Sequence, residues 1–148
     1  MRKHVNNKNK NRYVVNPVSL TPSFGTFPTI NSRGIVFLEG EIYLKHGEHT
    51  AANRGFGREH IWAEHQRYLI ENGYPSKEEV ARYVADIIQP NASIHSEFEQ
   101  LRNKRVQVVK SAVGLVVLEE RLDGANVNFY SVITAYRGKA KGPKIGAF

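Results

Sequence analysis

At Pro90 the spacing of the apolar residues changes, and that change constrains the fold more than any other feature of the chain. Before it, Val80, Val84, Ile87 and Ile88 recur at the period of about 3.6 that gathers side chains on one face of a helix. Ser76-Lys77-Glu78-Glu79 opens that stripe as a capping box, so a helix is expected to run to Gln89 and stop at Pro90. After it, Arg105–Lys110, Gly114–Leu122 and Asn126–Tyr136 are rich in Val, Ile, Leu, Phe and Tyr and read as strands. Asp123-Gly124 reads as the hairpin turn between the last two. Helical spacing first and strand spacing later predict an α+β domain, with N-terminal helices packed on a C-terminal antiparallel β-sheet meander.

Other elements follow from local signals. A helix should start near Gly57 or Arg58 and run to Asn72, with Gly73 as its C-terminal cap and Ile61, Trp62, Tyr68 and Leu69 as its apolar side. Ile35–Leu38 and Glu41–Leu44 read as short strands around Gly40, and a short helix is expected around Glu97–Leu101. Pro17, Pro22 and Pro28 mark residues 13–34 as an extended, irregular lead-in, and Lys45–Arg54 reads as a loop. The 148 residues suit one domain, placed at 13–138.

The net charge of +7 sits at the ends. Residues 1–12 carry five basic side chains and residues 137–148 carry four, with no acid in either stretch, leaving 13–136 at −2. Residues 1–12 are therefore expected to be a disordered basic tail and 139–148 a basic C-terminal tail, both suited to loose attraction of a polyanion. Cysteine is absent, which excludes disulfides and thiolate metal sites. It fits a reducing compartment, or a chain threaded unfolded through a membrane. No apolar run approaches the roughly 20 residues of a membrane span, and the first residues lack the apolar segment of a secretory signal.

Chemistry concentrates in Gly55-Phe56-Gly57-Arg58-Glu59-His60-Ile61-Trp62-Ala63-Glu64-His65. Histidine exchanges protons near neutral pH, and arginine holds phosphate. His60 lies at an expected helix start, where free N–H groups favour an anion, and Glu64 is one turn on, able to orient its ring. His65 is harder to combine with His60, because five residues of regular helix rotate by roughly 140°. The two converge only if His60 belongs to a bent helix entry. On the last strand, alternation puts Asn128, Tyr130, Val132, Thr134 and Tyr136 on one face, so Thr134 and Tyr136 point the same way. Arg54, Arg58, Lys110 and Arg137 are the cations expected to bind substrate.

His46 and His49 form His-x-x-His, which with His60 permits a zinc reading. Nothing matches His-Glu-x-x-His, and histidines in a loop rich in Gly and Asn are usually solvated, so no metal and no cofactor is expected. The Gly-x-Gly turn lacks the rest of a dinucleotide or P-loop fingerprint, and no nucleophile elbow is present.

The order of these parts resembles the barnase/EndoU/colicin/RelE superfamily of small ribonucleases, in its phage- and toxin-associated branch. The resemblance rests on Gly55-Phe56-Gly57-Arg58-Glu59-His60-Ile61 entering a helix, on His65, and on Thr134-Ala135-Tyr136 in the last strand of a four-stranded antiparallel sheet. It spans roughly residues 35–138. It implies metal-independent cleavage of tRNA or another structured RNA, in which the 2′-OH attacks the adjacent phosphate and leaves a 2′,3′-cyclic phosphate. His60 and His65 would be the acid–base pair, Thr134 and Tyr136 phosphate or base contacts, and Lys110 the lysine that steadies the phosphorane. It further implies a toxin or phage effector acting in the cytoplasm, in some cases after delivery into a target cell, and an acidic immunity protein as partner. Two rivals stay open on the residues themselves: a non-catalytic RNA-binding module, and a metal-dependent phosphodiesterase using His46, His49 and His60. An ADP-ribosyltransferase is disfavoured by the lack of a catalytic Glu pattern on a late strand.

Overall fold

In the computed structural model, which describes residues 9–98 and 102–148, strands precede the helices as well as follow them. The first half contains β1 (Ser23–Phe27), β2 (Ile30–Ser32), β3 (Ile35–Phe37), β4 (Gly40–Tyr43), β5 (Glu48–Ala51) and β6 (Arg54–Phe56). Two helices come next, α1 (Gly57–Glu71) and α2 (Val80–Ile87). The second half contains β7 (Ser93–Ser96), β8 (Val106–Lys110), β9 (Gly114–Leu122), β10 (Asn128–Tyr136) and β11 (Lys144–Ala147). The α+β class is as expected.

The main sheet has seven strands in the order β1-β4-β10-β9-β8-β7-β11. The antiparallel meander β7-β8-β9-β10 forms its centre, and β4 joins β10 in parallel. One face is apolar: Val106 and Val108, Val116 and Leu118, and Tyr130, Val132 and Ala135 share a core with Val80, Val84 and Ile87 of α2 and Ile61 and Leu69 of α1. Each buried Val, Leu or Ile among them contributes about 1.5–3 kcal/mol relative to exposure. The helix α2 lies against β8 and β9, and α1 against β10.

Several local expectations change. The lead-in 13–34 contains β1 and β2, because an edge strand such as β1 tolerates the flanking Pro22 and Pro28. The loop 45–54 contains most of a hairpin, β5 with β6. Residues 144–147, expected in a basic tail, pair with β7 as an edge strand, and the Phe148 ring meets Phe27 at 6.2 Å. Of the N-terminal tail, 1–8 lie outside the described residues, while Asn9–Asn11 form a 3-10 turn and Tyr13 bridges to Lys45. Glu99–Leu101 of the short helix expected around Glu97 also lie outside them; Ser93–Ser96 before it is β7.

The capping box is not made. Ser76 gives no side-chain cap, Lys77–Glu79 form a 3-10 turn, and Glu79 Oε1 accepts from Arg82 Nε at 2.6 Å instead. The turn after β9 is wider than a two-residue hairpin. Asp123 Oδ1 accepts from the N–H groups of Ala125 and Val127, and Asn126 takes a φ of +62°.

Candidate active site

On the face of the sheet away from the core, side chains from β8, β9, β10 and α1 enclose an open cleft of about 790 Å³. Its α1 wall begins at Gly57, two residues after Gly55 of β6. Gly57 (φ +77°) has no room for a side chain, since a Cβ would lie 2.5 Å from the Lys45 carbonyl. That close approach lets Lys45 and His46 carbonyls accept from the N–H groups of Arg58 and Glu59. The helix start expected to offer these N–H groups to an anion therefore spends them on the preceding loop.

His60 is 5% exposed, and its Nδ1 lies 3.0 Å from Nδ1 of His49 on β5. A hydrogen bond between two Nδ1 atoms uses one proton, so at most one of the two nitrogens carries it. Burial holds the His60 pKa below the ordinary histidine value; Glu64 pulls it up in part, and His49 and His65 push it further down. Burial lowers His65 as well, against an opposing pull from Glu64. Both imidazoles are thereby biased towards the neutral form that accepts a proton.

His60 and His65 both line the cleft. The bend that allows it is at His65, not at the helix entry: His65 takes φ −131° and ψ 16° inside α1. Its ring stacks on Tyr136 of β10, with centroids 5.3 Å apart and planes at 25°. Residues held in sparse backbone regions gather at functional sites.

Thr134 and Tyr136 face the cleft together, as alternation required, but with different companions. A bulge between Val132 and Thr134 shifts the register by one residue. Tyr130 and Val132, expected beside them, face the core, whereas Ser131 and Ile133 line the cleft. Thr134 Oγ1 is buried and has no hydrogen-bond partner among the described residues. A buried hydroxyl without a partner costs stability unless something else satisfies it.

Arg54 lines the cleft as expected. The other three predicted cations are placed elsewhere. Arg58 turns to His46 Nδ1 at 3.1 Å and to Glu59 at 3.7 Å. Lys110 ends β8 opposite Gly114, and Arg137 is exposed beyond β10. Neither lines the cleft.

Their place is taken by residues the sequence reading passed over: Lys45, Arg105, Arg121 and Lys141. Glu119, 3% exposed, joins Arg105 to Arg121, with the Arg121 bond at 2.8 Å. Burial alone would raise the Glu119 pKa, but hydrogen bonds from Arg121 and Arg105 bring it below the usual carboxylate value. Burial and the neighbouring Arg121 lower that of Lys45. Lys45, Arg54 and Lys141 form no ion pair among the described residues. Strand alternation carried this signal for Arg105 and Arg121. Arg105 and Gln107 interleave with Val106 and Val108, and Val117, Glu119 and Arg121 alternate with the core-facing Val116 and Leu118.

No protein-family model, curated protein or solved structure matches the chain. No helix among the described residues is long and apolar enough to cross a membrane.

Proposed function

We propose that the protein is a metal-independent endoribonuclease of the barnase/EndoU/colicin/RelE type. One observation carries the reading: two imidazoles biased to the neutral form line one cleft with Tyr136, with a Thr134 hydroxyl that has no partner among the described residues, and with Lys45, Arg54 and Lys141. One imidazole removes the 2′-OH proton, the 2′-oxygen attacks phosphorus, and the bond to the 5′-oxygen breaks. The leaving oxygen takes a proton from the second acid–base group, and the products are a 2′,3′-cyclic phosphate and a 5′-hydroxyl. Unpaired cations beside the phosphate offset the charge that grows in the transition state. The tRNA target, the toxin or phage-effector setting, action in the cytoplasm and an acidic immunity protein rest on the sequence resemblance alone.

Purified protein incubated with tRNA in excess chelator should release fragments ending in 2′,3′-cyclic phosphate. Fragments with 3′-hydroxyl ends, or activity abolished by the chelator, would favour a metal-dependent phosphodiesterase. Tight RNA binding with no cleavage would leave a binding module.

Thr134→Val gives a sharper result than most substitutions at the site. Valine keeps the β-branched shape and removes a hydroxyl that has no partner among the described residues, so thermal stability should hold or rise. If the hydroxyl bonds a charged phosphate, cleavage should slow by about ten- to a hundredfold, matching a loss of roughly 1.5–3 kcal/mol. Unchanged cleavage in a stable Thr134→Val protein would remove this hydroxyl from the site.

A further inference from the structure

His49, His60 and Glu64 offer donor atoms that all lie within 4.8 Å of one another. We propose that these three side chains bind a zinc-like divalent cation, and that the bound ion silences the cleft. The site differs from the His46-containing trio that the sequence permits, because His46 is taken up by Arg58.

The donor spacing fits. Zinc–nitrogen bonds of about 2.0–2.1 Å at tetrahedral angles put neighbouring donors about 3.3 Å apart. The two Nδ1 atoms already face each other at 3.0 Å, so a small opening seats an ion between them. Glu64 is one helical turn beyond His60 and brings its carboxylate to the same side. Its Oε2 accepts from the Asn53 N–H at 3.2 Å, which orients the group as an outer contact orients a metal ligand. His49 is exposed, giving an ion a way in, while His60 is buried behind it. Gly55 keeps the space clear, since a Cβ there would stand 2.8 Å from His60 Nδ1.

Coordination uses the lone pairs of both imidazole nitrogens. The proton they share passes through solvent to Nε2 of the ring that held it, so both rings stay neutral, each protonated at Nε2. His60 then has no lone pair at Nδ1 with which to take another proton. The metal site stands on its own donors; only its effect on cleavage rests on the ribonuclease reading.

The test uses the full chain and Co²⁺, without RNA. Co²⁺ titration should give the intense visible bands of a four-coordinate site at one ion per chain, and Zn²⁺ should abolish them. His49→Ala and Glu64→Gln should each weaken binding by about tenfold or more, given that outer contacts alone are worth that much. His46→Ala should bind as the wild type does. Absence of these bands, or full affinity in His49→Ala, would overturn the site; loss of binding in His46→Ala would point to the other trio. In a separate arm, Zn²⁺ should slow RNA cleavage and chelator restore it. Cleavage unaffected by saturating Zn²⁺ would overturn the silencing, whereas no cleavage under any condition would count against the ribonuclease reading and leave the metal result intact.

Discussion

His60→Ala is expected to lower the rate of RNA cleavage by at least about a hundredfold while the protein stays folded, since general acid–base catalysis contributes roughly 10²–10⁴. The imidazole is buried and, among the described residues, its ring makes one side-chain hydrogen bond, to His49, so its removal frees no charge in the core. Single-turnover cleavage in excess chelator measures the loss, and circular dichroism with thermal unfolding checks the fold. Removing the ring also removes a zinc ligand, which is why the chelator must be present in both assays. A folded His60→Ala protein with near-normal turnover would take His60 off the catalytic list and the proposed chemistry with it.

Gly55→Ala should be nearly as damaging although it removes no functional group. Gly55 sits at φ +150°, and a Cβ there would stand 2.2 Å from the Glu48 carbonyl oxygen and 2.8 Å from His60 Nδ1. The first contact is with backbone and cannot be relieved by a rotamer change. Either β6 lifts from β5, where Gly55 pairs with His49, or the His49–His60 contact opens. The backbone strain alone costs about 1–3 kcal/mol. Cleavage should fall along with thermal stability. Gly73→Ala is the comparison: it has φ +92° but open space around it, so it should lose stability through strain and retain cleavage. Wild-type cleavage in Gly55→Ala would show that the hairpin does not set the position of His60.

The parts of this fold that were legible in the sequence are those whose signal is local. The Val80, Val84, Ile87 stripe, the bounds of α1 and the strands β8, β9 and β10 follow from periodicity within one segment. The strands β1, β5, β6 and β11 were not legible, because each is short and is made a strand by its partner. Thr134 and Tyr136 were placed together correctly, but the bulge at Ile133 changed their neighbours, and one extra residue in a ladder leaves no compositional trace. The meeting of His60 with His65 required a backbone departure at His65 that helix spacing argues against. The cations failed for another reason. Arg58, Lys110 and Arg137 were chosen by closeness in sequence to the histidines or the strand ends, whereas Arg121 lies within β9, Arg105 directly before β8 and Lys45 shortly after β4, so the arrangement of the strands brings them to the cleft.

The parallel junction of β4 with β10 also bears on when this protein can act. Phe129 lies opposite Glu41, so the junction closes a loop of roughly 90 residues, the kind of distant pairing that slows folding because chain entropy is lost before contacts repay it. All six histidines precede β10 in the chain, yet Thr134 and Tyr136, on whose ring His65 stacks, belong to it. A nascent chain can thus carry every imidazole of the cleft and still lack its opposite wall. Synthesis of the last strands, rather than of the histidine segment, completes the cleft.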